Sequence, residues 1–245
     1  MTALANLAAA GKQYSAAAKI VSGKVATPRQ PTATESELLI AIGIASDWVR
    51  RASAMRPISF DSKRMRKSAK TPSVSQVVRF NLAWAGMNAL FSRNSVFAHL
   101  GLAHPVSELD RFKALYAKAA PPATVMTTHL GTLHSILQKS TAAYVPGFPA
   151  GSTHTVLKAL HFKYTPIQYQ NMATGKKVAA AVASGNLVPL DVPTLMYLMR
   201  NWMVHGGIVS SNFRSVSGFD NYVATMNEAL ALVHLHLANE LVRNA

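Results

Sequence analysis

The chain has 245 residues, with 25 lysines and arginines against 10 acids, a net charge of +15 and no cysteine. It is long enough to bury a core in one large domain or two small ones. The missing cysteines exclude disulfides, thiolate metal sites and cysteine nucleophiles, and 10 acids leave little material for two-metal catalysis.

The chain is 49% hydrophobic, rich in Ala, Leu, Met and Val, and shows no dominant alternating pattern. This predicts an all-α helical bundle. No apolar run approaches the roughly 18 residues that a membrane span needs. The strongest run, Leu38 to Ala45, is interrupted by Gly43 and soon followed by Asp47, Arg50 and Arg51. A soluble, cytoplasmic protein without a membrane partner is expected.

Residues 1–33 read as an Ala-rich basic arm, flexible or helical, carrying Lys12, Lys19, Lys24 and Arg29 and no acid. A transit peptide has the same look. The breakers Pro28 and Pro31 close the arm, and the folded helical domain is expected to span 34–245. Its first helix is predicted from a Thr34–Glu37 capping box to about Arg51, with Leu38, Ile42, Ala45 and Val49 as the buried stripe.

A basic segment from Arg50 to Arg79 follows, with Pro57 and Pro72 bounding its central loop. It holds Arg50, Arg51, Arg56, Lys63, Arg64, Arg66, Lys67, Lys70 and Arg79 against one acid, Asp61. Such a cluster binds polyanions with the help of counterion release. A second long helix is predicted from Ser73 or Ser75, with Val77, Phe80, Leu82, Trp84, Met87, Leu90 and Phe91 at mostly helical spacings. Shorter helices are predicted over 106–119, 125–138, 155–162 and 173–184.

The most informative stretch runs from Leu198 to Gly207. Asp191 and Pro193 mark a helix start, and Gly206-Gly207 marks its stop. On that helix Asn201 and His205 point the same way within about 40°, while Arg200 lies roughly 140° from His205 and reaches the same rim through its long side chain. Exposed carbonyls of the last turn favour a protonated His205. An imidazolium, a guanidinium fork and an amide form a compact phosphate-recognition group. A last helix is predicted over 219–242, with Met226, Leu230, Val233, Leu237 and Leu241 as core or dimer seam.

The run Arg200-Asn201-Trp202-Met203-Val204-His205-Gly206-Gly207 resembles the signature of the HEPN superfamily (higher eukaryote and prokaryote nucleotide-binding domains). That signature is Arg, four to six residues, then His, often with Asn directly after the Arg. The resemblance covers about ten residues. It implies a bundle of four to five core helices, a homodimer that brings two such helices together, and metal-independent ribonuclease chemistry at Arg200, Asn201 and His205. A second Arg-to-His spacing, Arg93-Asn94 to His99, lacks the following Gly-Gly and reads better as a helix end than as a second site, the alternative being a composite site in which this pair faces Arg200 and His205. The pair His234 and His236 diverges by about 200° on a helix and suits no metal.

The function expected is an endoribonuclease without metal or cofactor, acting on single-stranded RNA. Its biology would be that of a toxin or phage-defence effector restrained by an antitoxin or regulatory partner. Two alternatives belong to other classes: a HEPN-like RNA- or nucleotide-binding module without turnover, and an architectural nucleic-acid-binding protein.

Overall fold

The computed structural model describes residues 2–25, 31–56, 74–139, 186, 188, 191–204 and 219–245. Among them are eight α-helices and no strand: α1 (Ala3–Val25), α2 (Ala33–Ala54), α3 (Val74–Phe91), α4 (Asn94–His99), α5 (Glu108–Ala119), α6 (Ala123–Lys139), α7 (Val192–Val204) and α8 (Phe219–Asn244). The protein is all-α, as its composition requires. The helices predicted at 155–162 and 173–184 lie outside the described residues. The chain divides into two compact units, one of Met1–Met55, Val78–Pro122 and Asn227–Ala245, the other of Arg56–Val77 and Ala123–Met226.

In the first unit the N-terminal segment, expected as a flexible or helical arm, is a helix with a buried face. Leu7, Ala10, Tyr14, Ala17 and Val21 are all buried. Their alternating spacing of three and four residues places them on one stripe of α1. Because two of the five are alanines, the stripe has low hydrophobicity and escapes a reading by apolar bulk, yet small side chains let two helices approach closely.

The helix α2 runs antiparallel to α1. Ser15 faces Ser46, with hydroxyl oxygens 3.1 Å apart, and the Ser46 hydroxyl donates to the Gly11 carbonyl at 3.2 Å. The expected stripe Leu38, Ile42, Ala45 and Val49 is buried. The helix starts one turn-fraction earlier than expected, and the capping box is Thr32 with Glu35 rather than Thr34 with Glu37. The Glu35 amide donates to Thr32 Oγ1 at 3.2 Å, and Thr32 N donates to Glu35 Oε2 at 2.8 Å. Both pairs have the same Thr-x-x-Glu spacing. The earlier pair forms the box because Thr32 keeps the extended backbone of a cap, whereas Thr34 is already helical.

An aromatic cluster joins α3 to α5. Trp84 stacks on Phe80 at 6.0 Å and meets Phe112 edge-on at 4.7 Å and Phe91 at 5.9 Å. Such pairs contribute about 0.5–1.5 kcal/mol each beyond the area they bury. Ser107 caps α5, accepting from the Asp110 amide at 3.1 Å. The helix ends at Ala120, whose left-handed backbone (φ 43°) precedes Pro121 and Pro122. In α8, Leu230, Val233, Leu237 and Leu241 are buried as expected.

In the second unit, α6 buries Met126 and exposes threonines whose hydroxyls bond back to carbonyls one turn earlier, as Thr127 does to Ala123 at 2.8 Å. The helix α7 buries Val192, Thr194, Leu195, Met196 and Tyr197 in its first two turns. This burial anchors the helix that carries the Arg-Asn pair.

Candidate functional site

Arg200 and Asn201 sit in consecutive positions near the C-terminal end of α7, which closes at Val204. The helix start is as expected, with Asp191 directly before it. The Asp191 carboxylate turns back, however, and accepts from the Val188 amide at 2.9 Å, holding the approach to the helix rather than a helix amide. The Arg200 guanidinium carbon lies 6.0 Å from the centre of the Tyr197 ring one turn earlier, and the side chain is half-buried. A guanidinium within about 6 Å of an aromatic centroid is attracted to the ring face, which helps hold the side chain in place. The side chain of Asn201, together with His205, Gly206 and Gly207, lies outside the described residues.

Arg93, Asn94 and His99 occupy the short helix α4. Arg93 is its N-cap residue and pairs with Glu37 of α2 at 3.5 Å. His99 lies 3.2 Å from the Leu241 carbonyl of α8, to which a ring N–H donates. Asn94 is exposed. The two ends of α4 are therefore held by different helices, and the residues act as ties within the first unit. This pair belongs to one unit and Arg200 to the other.

The basic segment separates into residues with opposite roles. Arg51 is exposed, pairs with Asp47 at 2.9 Å and lies over the Trp48 ring at 5.5 Å. Arg50 is also exposed and extends toward α1, its stem passing over Gly11. Arg79 is buried instead, and donates to the Met55 carbonyl at 3.3 Å. Burial pushes its guanidinium below the ordinary arginine range. Arg79 thus secures the end of α2 and leaves the polyanion-facing set. Lys63, Arg64, Arg66, Lys67 and Lys70 lie outside the described residues.

No protein-family profile, curated protein or solved structure matches the chain.

Among the described residues no group of three or more His, Asp or Glu side chains could hold a metal ion. Among them, too, no helix is long and apolar enough to cross a membrane. One buried polar group was not expected from the sequence. His234 of α8 is wholly buried, 2.8 Å from the Tyr14 hydroxyl through Nδ1 and 2.9 Å from the Ala83 carbonyl through Nε2. A carbonyl only accepts, so Nε2 carries the proton, and Tyr14 donates to Nδ1. Burial holds the imidazole down at about 4 and raises the Tyr14 phenol well above its ordinary value. His234 is neutral and fully hydrogen-bonded, a connector of α1, α3 and α8 rather than a reactive group. Its signal in the sequence is positional, since Leu230, His234 and Ala238 follow at i, i+4 and i+8 on a core-facing stripe.

Proposed function

We propose that this protein is a metal-independent endoribonuclease whose working group is Arg200, Asn201 and His205. The observation that supports this reading is the position of Arg200 and Asn201, side by side in the last turns of a helix anchored by its buried first turns. His205 follows the last residue of that helix in the chain.

In this reaction the RNA 2′-OH attacks the adjacent phosphorus. A new O2′–P bond forms as the P–O5′ bond breaks, leaving a 2′,3′-cyclic phosphate and a 5′-OH. His205 takes the 2′-OH proton or delivers one to the leaving O5′. Arg200 neutralises the charge that grows on the non-bridging oxygens, and Asn201 orients Arg200 or a phosphate oxygen. Two copies of α7 meeting across a two-fold axis would give one cleft with doubled residues. A net charge of +15 suits a polyanionic substrate. The biological setting that fits is a toxin or defence effector held in check by an antitoxin.

The test is incubation of wild type and His205→Ala with mixed-sequence single-stranded RNA in EDTA, followed by analysis of the product ends. Wild type is expected to leave cyclic-phosphate ends, and the variant to be slower by about 10²–10⁴-fold. Equal cleavage by the two proteins rejects the mechanism. RNA that is bound but intact, with affinity falling steeply in salt, assigns the chain to the non-catalytic binding class instead.

A further inference from the structure

The groove between α1 and α2 carries a cluster of cations that the ribonuclease reading does not use. It encloses about 600 Å³, and its charged lining is Lys12 and Lys19 from α1 and Arg50 from α2, set among alanines and serines, with no carboxylate in the lining. Lys12 and Lys19 are seven residues apart. Two helical turns therefore place them on one face, about 10 Å apart along the axis.

The antiparallel pairing brings Arg50 across to the same groove, opposite Gly11. A Cβ at Gly11 would come within 2.8 Å of Arg50 Cγ. The glycine thus makes room for the arginine stem against α1, and Arg50 lines the same groove as the two lysines. The acids of α2 are committed elsewhere: Glu35 to the Thr32 cap, Glu37 to Arg93 and Asp47 to Arg51. Among the described residues no ion pair or hydrogen bond engages the charged end of Lys12, Lys19 or Arg50. Three like charges gathered without a counter-charge repel one another, so the arrangement favours a bound anion. A spacing of about 10 Å between the two lysine positions exceeds the span of one phosphate, so a chain of phosphates is the anion that suits the groove.

We propose that this groove binds the phosphodiester backbone of a single nucleic-acid strand. The site lies in the first unit and is independent of the His205 chemistry. Lys12 and Lys19 are far from Arg50 in the chain, and only the pairing of α1 with α2 brings the three to one groove.

The experiment is fluorescence anisotropy with labelled 20-nucleotide strands of 2′-O-methyl RNA and of DNA, neither of which offers a 2′-OH to cleave, over a range of salt concentrations. The proteins are wild type, a Lys12→Gln/Lys19→Gln/Arg50→Gln variant, and a control of equal charge loss, Lys113→Gln/Lys118→Gln/Arg243→Gln. All three groove side chains are exposed, so the groove variant is expected to keep the wild-type melting temperature within a few degrees. Each single substitution lowers the salt slope by about 0.7, and the triple lowers it by about 2 and weakens binding by about 10-fold or more. Affinity for both strands identifies the phosphodiester as the group read. Affinity for one alone, lost in the groove variant, assigns the site to that nucleic acid. An unchanged slope, or an equal loss in the control, overturns the proposal. Since cleavage plays no part, failure here leaves the ribonuclease reading untouched, and the reverse also holds.

Discussion

Tyr14 and His234, 220 positions apart in the chain, meet in a 2.8 Å hydrogen bond between helices α1 and α8. The bond is the first of two links that run from the Tyr14 hydroxyl through the imidazole to the Ala83 carbonyl of α3. Tyr14 and His234 are fully buried, and buried polar groups need their hydrogen-bond partners. Tyr14→Phe keeps the ring and removes the donor, leaving Nδ1 buried and unsatisfied. A loss of about 1–3 kcal/mol in urea unfolding is expected. Stability equal to wild type would show that the Tyr14–His234 bond does not form in solution.

The same imidazole sets an acid limit on stability. Its value falls from 6.5 in the unfolded chain to about 4 in the folded one. The unfolded state therefore binds the extra proton between those values. The contribution of His234 is complete above about pH 6.5, shrinks as pH falls toward 4 and is flat below. It amounts to about 3 kcal/mol. His236 acts in the same direction, because burial and then the Arg243 charge lower its value. At the other extreme, burial raises Tyr14 and takes Tyr116 up to about 12, so stability also falls as pH rises past 10. Unfolding free energies from pH 4 to 8, with an NMR titration of the His234 ring, check this. A His234 midpoint near 6.5 contradicts it.

Glycines at two helical positions are expected to respond oppositely to alanine. A Cβ at Gly86 would lie 3.2 Å from both the Ala45 carbonyl oxygen and Val49 Cγ2, and 3.5 Å from His234 Cε1. The first obstacle is backbone and yields little, so Gly86→Ala costs about 1–3 kcal/mol. Nothing stands within 4 Å of a Cβ at Gly43. There the better helix propensity of alanine adds up to about 1 kcal/mol. Denaturation midpoints moving the same way in both variants would contradict the packing described.

The start of α2 has a direct test. Thr32→Ala removes the capping hydroxyl and loses about 1 kcal/mol. Thr34→Ala, inside the helix, changes stability by a few tenths of a kcal/mol at most. A larger loss at Thr34 than at Thr32 returns the cap to the later box.

Helix spacing makes much of the fold legible in the sequence. The stripes of α2, α3 and α8, the double proline after α5 and the start of α7 were all readable, because each depends on residues within a turn or two of one another. The candidate site was legible only as far as its helix: Arg200 and Asn201 lie on α7, while burial and partners depend on surfaces far away in the chain. Arg50 and Arg79 make the difference concrete. Equivalent in the sequence as members of one basic run, one is exposed over Gly11 and the other is buried against the end of α2.

The sequence by itself determined that this protein is helical, strongly basic and free of cysteine chemistry. Those properties follow from composition and from periodicities that repeat every three to four residues. Tertiary structure alone decided that the first helix belongs to the core, which nitrogen of His234 keeps its proton, and which cations of the first unit face solvent together. These depend on the surfaces that each helix meets, and no local spacing encodes such pairings.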